Sequence, residues 1–175
     1  GCMHAQLEIV FLNGRLSVHE LKYQIDDAQV KTILVHEQEQ EKLQVDVRMI
    51  TFNTVFTAAK TPIQIATEWD DSATISIMYT SGTTGRPKGA VLTHQNMCMN
   101  GMNQVVTAGL GFEFKQLLVA PLFHIAALST LLYPINGTTV IHSQFNPEEV
   151  LKTIEKERIN FIFLAPTMWH MLVEF

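Results

Sequence analysis

The run Tyr79-Thr80-Ser81-Gly82-Thr83-Thr84-Gly85-Arg86-Pro87-Lys88-Gly89 is the stretch from which the rest of the chain is read. Before it lies TISIMYT at 74–80, a β-branched, apolar run that reads as a buried strand. Within it, Thr80, Ser81, Thr83 and Thr84 offer hydroxyl donors, while Gly82 and Gly85 let main-chain N–H groups approach an anion. Lys88 adds a point charge suited to a polyphosphate, and Pro87 stiffens the chain beside it. The spacing is not GxxxxGK[ST], because the lysine stands six residues after Gly82 and three after Gly85. A bare TSGTTG also reads as a flexible turn between strands; the proline and lysine at their offsets favour a phosphate loop.

Toward the N-terminus, residues 8–13 (EIVFLN) read as a short strand. Ser17 followed three residues later by Glu20 is a capping box, and Val18, Leu21, Ile25 and Ala28 recur at helical spacing, which predicts a helix over 18–28. Strands are expected at 31–35 and 47–51, on either side of the polar stretch 36–46, then a short helix at 52–60 and a loop at 61–72. Toward the C-terminus the loop runs to Gly89 and a strand covers 90–92, after which Thr93 caps a helix reaching Ala108. Strands at 116–120, 138–142 and 161–164 alternate with helices at 126–132, after Asn146 and from Thr167. Asn146 with Pro147 behind it is an N-cap followed by proline at the first helical position. This alternation predicts an α/β fold with a largely parallel sheet and flanking helices.

The chain of 175 residues suffices for one core, and 47% hydrophobic against 17% charged residues excludes a disordered chain. The net charge of −5, with Lys and Arg scattered, argues against a nucleic-acid-binding face and a basic membrane-surface helix. Cys2 and Cys98 form neither a disulfide framework nor a CxxC pair, so a reducing, cytoplasmic setting fits. The seven histidines form no HxH or HxxxH pair. Residues 116–147 hold no Asp, Glu, Lys or Arg, yet Pro121, His124 and Pro134 interrupt them, so a buried strand, a loop and a buried helix are expected there instead of a membrane span. No basic segment of a signal peptide is visible. Residues 1–7 and 168–175 read as helix interiors, as in a fragment.

The eleven residues, continued by Ala90-Val91-Leu92-Thr93-His94, resemble the signature phosphate loop of the adenylate-forming (AMP-binding) superfamily, which includes acyl-CoA synthetases, aryl-acid ligases, luciferases and peptide-synthetase adenylation domains. Leu12-Asn13-Gly14-Arg15-Leu16-Ser17 with Glu20-Leu21 resembles the LNxRLsxxEL segment of that family. Pro121-Leu122-Phe123-His124 resembles its PLFH segment, and residues 161–168 its next strand, loop and helix. Among acyl-CoA synthetases, residues 8–17 and 145–164 resemble o-succinylbenzoate–CoA ligases of menaquinone synthesis and, equally, medium- and long-chain fatty-acid ligases.

The resemblance implies that residues 1–175 are a fragment of the large N-terminal AMP-binding domain, without the C-terminal catalytic domain and its lysine. It implies that Thr80, Ser81, Gly82, Thr83, Thr84, Gly85 and Lys88 hold the phosphates of ATP, with Thr80 close to Mg²⁺. It places His124 at the acyl pocket, near the reacting carboxylate; Ala126-Ala127-Leu128 then either line an apolar wall or simply pack. Amino-acid-activating relatives carry an aspartate for the substrate amine, and residues 116–147 have no carboxylate, so a fatty or aromatic acid is expected. The implied activity is that of a ligase: ATP-dependent formation of an acyl-adenylate, then of a CoA thioester, with ATP, Mg²⁺ and CoA as cofactors and no nucleic-acid partner. The fragment alone is expected to be inactive and prone to self-association. A non-catalytic nucleotide-binding relative and an adenylating enzyme with another acceptor remain alternatives.

Overall fold

A computed structural model describes residues 5–58, 70–81, 86–109, 114–130 and 137–175, with the side chains of residues 108 and 128–130 left aside. The chain divides into two compact units, residues 1–93 and 94–175.

The first unit begins with β1 (Ile9–Phe11) and α1 (Val18–Asp27). The expected capping box is present: the Glu20 N–H donates to Ser17 Oγ at 3.3 Å, and the Ser17 N–H donates to Glu20 Oε2 at 2.9 Å. Strand β2 (Thr32–Val35), a short 3₁₀ turn at Glu37–Glu39, β3 (Arg48–Thr51) and α2 (Phe52–Ala58) follow. Strands β2 and β3 pair in parallel, Ile33 opposite Met49. Ile25 of α1 packs with Ile33 and Val35 to form the core of this part. A second sheet has the order β1-β4-β5, with β4 at Thr74–Thr80 and β5 at Lys88–Thr93. There β1 and β4 run parallel and β4 and β5 antiparallel.

The second unit starts at α3 (His94–Ala108), immediately after β5, and continues through β6 (Lys115–Leu118), α4 (Ile125–Thr130), β7 (Thr138–Ile141), α5 (Pro147–Glu157), β8 (Phe161–Ile162) and α6 (Pro166–Val173). Its sheet has the order β7-β6-β8, all parallel. The central position of β6 accounts for the absence of charge just after Lys115. Leu117 and Val119 are covered by Val150 of α5 and by Leu164, and a strand buried on both faces cannot hold an unpaired charge. The buried amide of Gln116 is satisfied by donating to Thr139 Oγ1 at 2.7 Å. Asn146 caps α5, accepting from the Glu149 N–H at 3.1 Å, with Pro147 at its first turn.

The α/β class and the prevalence of parallel pairing agree with the sequence, but among the described residues the strands form three small sheets instead of one. Lys88 and Gly89, expected in the loop, are the first residues of β5. Gln6 stands at φ 53° and α6 stops at Val173, so neither 6–7 nor the last two residues are helix interior. The loop expected at 61–72 lies mostly outside the described residues.

Candidate active site

The strand TISIMYT forms because β-branched and apolar side chains pack on a pleated, half-buried surface, and Ile75, Ser76 and Met78 are buried as that requires. It delivers Thr80 to the loop end of the β4–β5 hairpin. Directly opposite stands Lys88, and one rung further in, Gly89 faces Tyr79. Residues directly opposite on an antiparallel ladder project to the same face, so the Thr80 and Lys88 side chains leave one face of the hairpin at the mouth of the loop. Both are exposed, as is Ser81. Among the described residues no carboxylate forms an ion pair with Lys88. An exposed cation and hydroxyls brought together by a ladder suit an anionic ligand. Gly82, Thr83, Thr84 and Gly85 lie outside the described residues.

Helix α1 runs beside this hairpin. The Tyr79 hydroxyl donates to Asp27 Oδ2 at 2.6 Å, and the Tyr23 hydroxyl donates to the Pro87 carbonyl at 3.3 Å. Burial pushes the Tyr79 phenol above its ordinary value, and the hydrogen bond to Asp27, the Asp27 charge and the neighbouring Tyr23 add to it. Sequence reasoning passed over Tyr23 and Asp27. Their one visible signal is the i, i+4 spacing, which sets both on one face of α1.

His124 belongs to the second unit. Its side chain is exposed, so it is not a core histidine. It stands directly before α4, and its Nδ1 accepts from the Ala126 N–H at 3.2 Å. That bond caps the helix and requires a lone pair on Nδ1, so the neutral ring carries its proton on Nε2 and presents a donor outward. Ala127 is fully buried; the Leu128 side chain lies outside the description. Among the described residues no three His, Cys, Asp or Glu side chains gather as a metal site. No described helix is long and apolar enough to cross a membrane.

The chain is 35% identical to a feruloyl-CoA synthase of Amycolatopsis and to a 2-succinylbenzoate–CoA ligase of Bacillus licheniformis, over 98% and 96% of its residues. It spans about a third of their length, 36% in each case. It superposes on o-succinylbenzoate CoA synthetase of Bacillus subtilis in complex with AMP with a TM-score of 0.92 at 31% identity, covering 99% of this chain and 46% of that one. Further structures of that synthetase hold ATP with a magnesium ion and the acyl-adenylate intermediate, and each matches with a TM-score of 0.90. The family model described as AMP-binding enzyme matches residues 1–175, which takes in the hydroxyl-rich hairpin and the histidine before α4 alike; the chain therefore belongs to the AMP-binding enzymes.

Proposed function

We propose that this chain is the phosphate-binding portion of an acyl-CoA ligase, within the large N-terminal domain of a longer protein whose catalytic C-terminal domain lies outside residues 1–175. The observation that carries the reading is the ladder register that sets Thr80 opposite Lys88 at the two ends of a hydroxyl-rich loop. The carboxylate of the acid attacks the α-phosphorus of ATP and pyrophosphate departs; the CoA thiol, losing its proton, then attacks the acyl carbon of the adenylate and AMP leaves. Charge builds on the leaving phosphates, so the contribution of the residues is positioning and charge stabilisation. Lys88 meets the terminal phosphates as a point charge, and the hydroxyls of Thr80, Ser81, Thr83 and Thr84 with the N–H groups at Gly82 and Gly85 donate to their oxygens. Mg²⁺, when bound, neutralises phosphate charge and holds the polyphosphate in one geometry. The Thr80 hydroxyl would suit it as a hard oxygen ligand. His124 offers its Nε2–H to the carboxylate of the acid.

The acid lacks an α-amine, because residues 116–147 supply no carboxylate to pair with one. The similarity to a feruloyl-CoA synthase and a 2-succinylbenzoate–CoA ligase favours an aromatic acid over a fatty one. The reducing setting inferred from the two cysteines agrees with a cytoplasmic enzyme, and the reading includes no nucleic-acid partner.

The test is ATP–pyrophosphate exchange by the full-length protein with a panel of aromatic, fatty and amino acids. An aromatic or fatty acid should support exchange, and Lys88→Ala should slow it on the order of a hundredfold or more, as loss of one preorganised donor does. Nucleotide binding without exchange for any acid would return the non-catalytic reading. Amino acids as the best substrates would refute the assignment of the acid.

A further inference from the structure

The two donors at the mouth of the loop sit where a hairpin is weakest. Thr80–Lys88 is the last rung of the β4–β5 ladder, with nothing beyond it but the loop. Terminal rungs fray, and a frayed rung cannot hold two groups against a polyphosphate. In this chain the residue before each donor is tied down. Tyr79 precedes Thr80 and donates to Asp27 Oδ2 at 2.6 Å, while Pro87 precedes Lys88 and its carbonyl accepts from Tyr23 at 3.3 Å. Proline has no N–H, so that carbonyl is its one main-chain hydrogen-bonding group. Both ties end on α1, at positions four apart and thus on one face. The helix is itself firmly seated by its capping box and by the buried side chains of Leu21, Gln24 and Ile25.

Gly89 completes the arrangement. A Cβ there would stand 2.8 Å from Ile77 Cγ2 and 3.3 Å from Tyr79 Cζ. The Tyr79 ring therefore lies across the space left by the absent side chain of its cross-strand partner, and from there its hydroxyl reaches Asp27.

We infer that α1 is a two-point clamp on the phosphate hairpin: Tyr23, Asp27 and Tyr79 are positioning residues that hold Thr80 and Lys88 in place for the polyphosphate. The inference rests on the functional reading above and adds to it the residues that orient the site. The burial and hydrogen bonding that raise the Tyr79 phenol keep it a donor across the working pH range.

The test uses Tyr23→Phe, Tyr79→Phe and the double variant of the full-length protein, which keep the rings and delete only the hydroxyls. Amide hydrogen exchange in peptides covering 79–93 should quicken about two- to tenfold, with α5 unaffected, as expected for losing hydrogen bonds of ordinary strength. The Kd for Mg-ATP should rise by a similar factor of about two to ten while the KM for the acid stays constant. Asp27→Asn added to Tyr79→Phe should change little further, because one bond has already been lost. Unchanged hairpin exchange in the double variant overturns the clamp, and faster exchange with an unchanged Kd for Mg-ATP reduces it to ordinary packing. If the unsubstituted protein binds no ATP, the functional reading fails by itself, and hairpin exchange alone then decides whether the clamp exists.

Discussion

Gly89 shows how tightly the hairpin is built around single atoms. The nearest obstacle to a methyl there is Cγ2 of Ile77, a β-branched side chain with little rotameric freedom in a strand. Gly89→Ala should cost about 1–3 kcal/mol in urea unfolding, the range for overpacking, with a further loss of ATP affinity because Tyr79 must move. An unchanged midpoint would mean that the strands splay without cost. His124 divides its two nitrogens between structure and chemistry. His124→Asn keeps a side-chain acceptor for the Ala126 N–H but removes the outward donor, whereas His124→Ala removes both. Only the alanine variant should lose stability, by about 1 kcal/mol, while both should slow adenylation about tenfold or more. Wild-type exchange in the asparagine variant would leave His124 as a cap and nothing else. The sequence named His124 through its neighbours Pro121-Leu122-Phe123, but which nitrogen faces the helix depends on backbone geometry that no residue type encodes.

Among the elements, α1 was the most legible, since its cap and its apolar stripe are both local patterns. The Ser17 N–H and Oγ both donate to the Glu20 carboxylate, and these bonds hold its pKa below the usual 4.5. A carboxylate whose folded-state pKa is depressed contributes stability above its unfolded value, and that contribution is lost as the pH falls through the folded one. The stability of the first unit should therefore decline below about pH 4.5, and Glu20→Gln should flatten that part of the decline. The check is urea unfolding of both proteins between pH 3 and pH 7, roughly the window in which carboxylates titrate. An identical acid limb would show that the capping box is not coupled to folding. Strand β5 was the least legible element. Lysine and glycine are poor strand formers, so propensity starts the strand at Ala90, whereas pairing with Tyr79 and Thr80 extends it back to Lys88.

At the scale of the whole molecule, apolar side chains stand uncovered in the second unit. Met99, Met102 and Val106 are exposed on α3, and Trp169 and Val173 on α6, with Val106 and Val173 at 80% and 81%. Surface of this kind drives association in water. The 175-residue chain on its own should therefore sediment as oligomers, and it should form no acyl-CoA from ATP, CoA and a panel of acids. A monomer with turnover comparable to a complete synthetase would contradict both expectations.

What the sequence determined by itself was everything that depends on neighbours along the chain: the alternation of strands and helices, the caps at Ser17 and Asn146, and the grouping of hydroxyls, glycines and a lysine between residues 80 and 88. These patterns have periods of two to four residues, and propensity and capping act over that range. Only the tertiary structure decided which strands pair, that Lys88 stands opposite Thr80, and that Tyr23 and Asp27 meet a hairpin more than fifty residues later. Such contacts follow from how helices and sheets stack to bury their apolar faces, and burial is a property of the assembled core that single residue types do not specify.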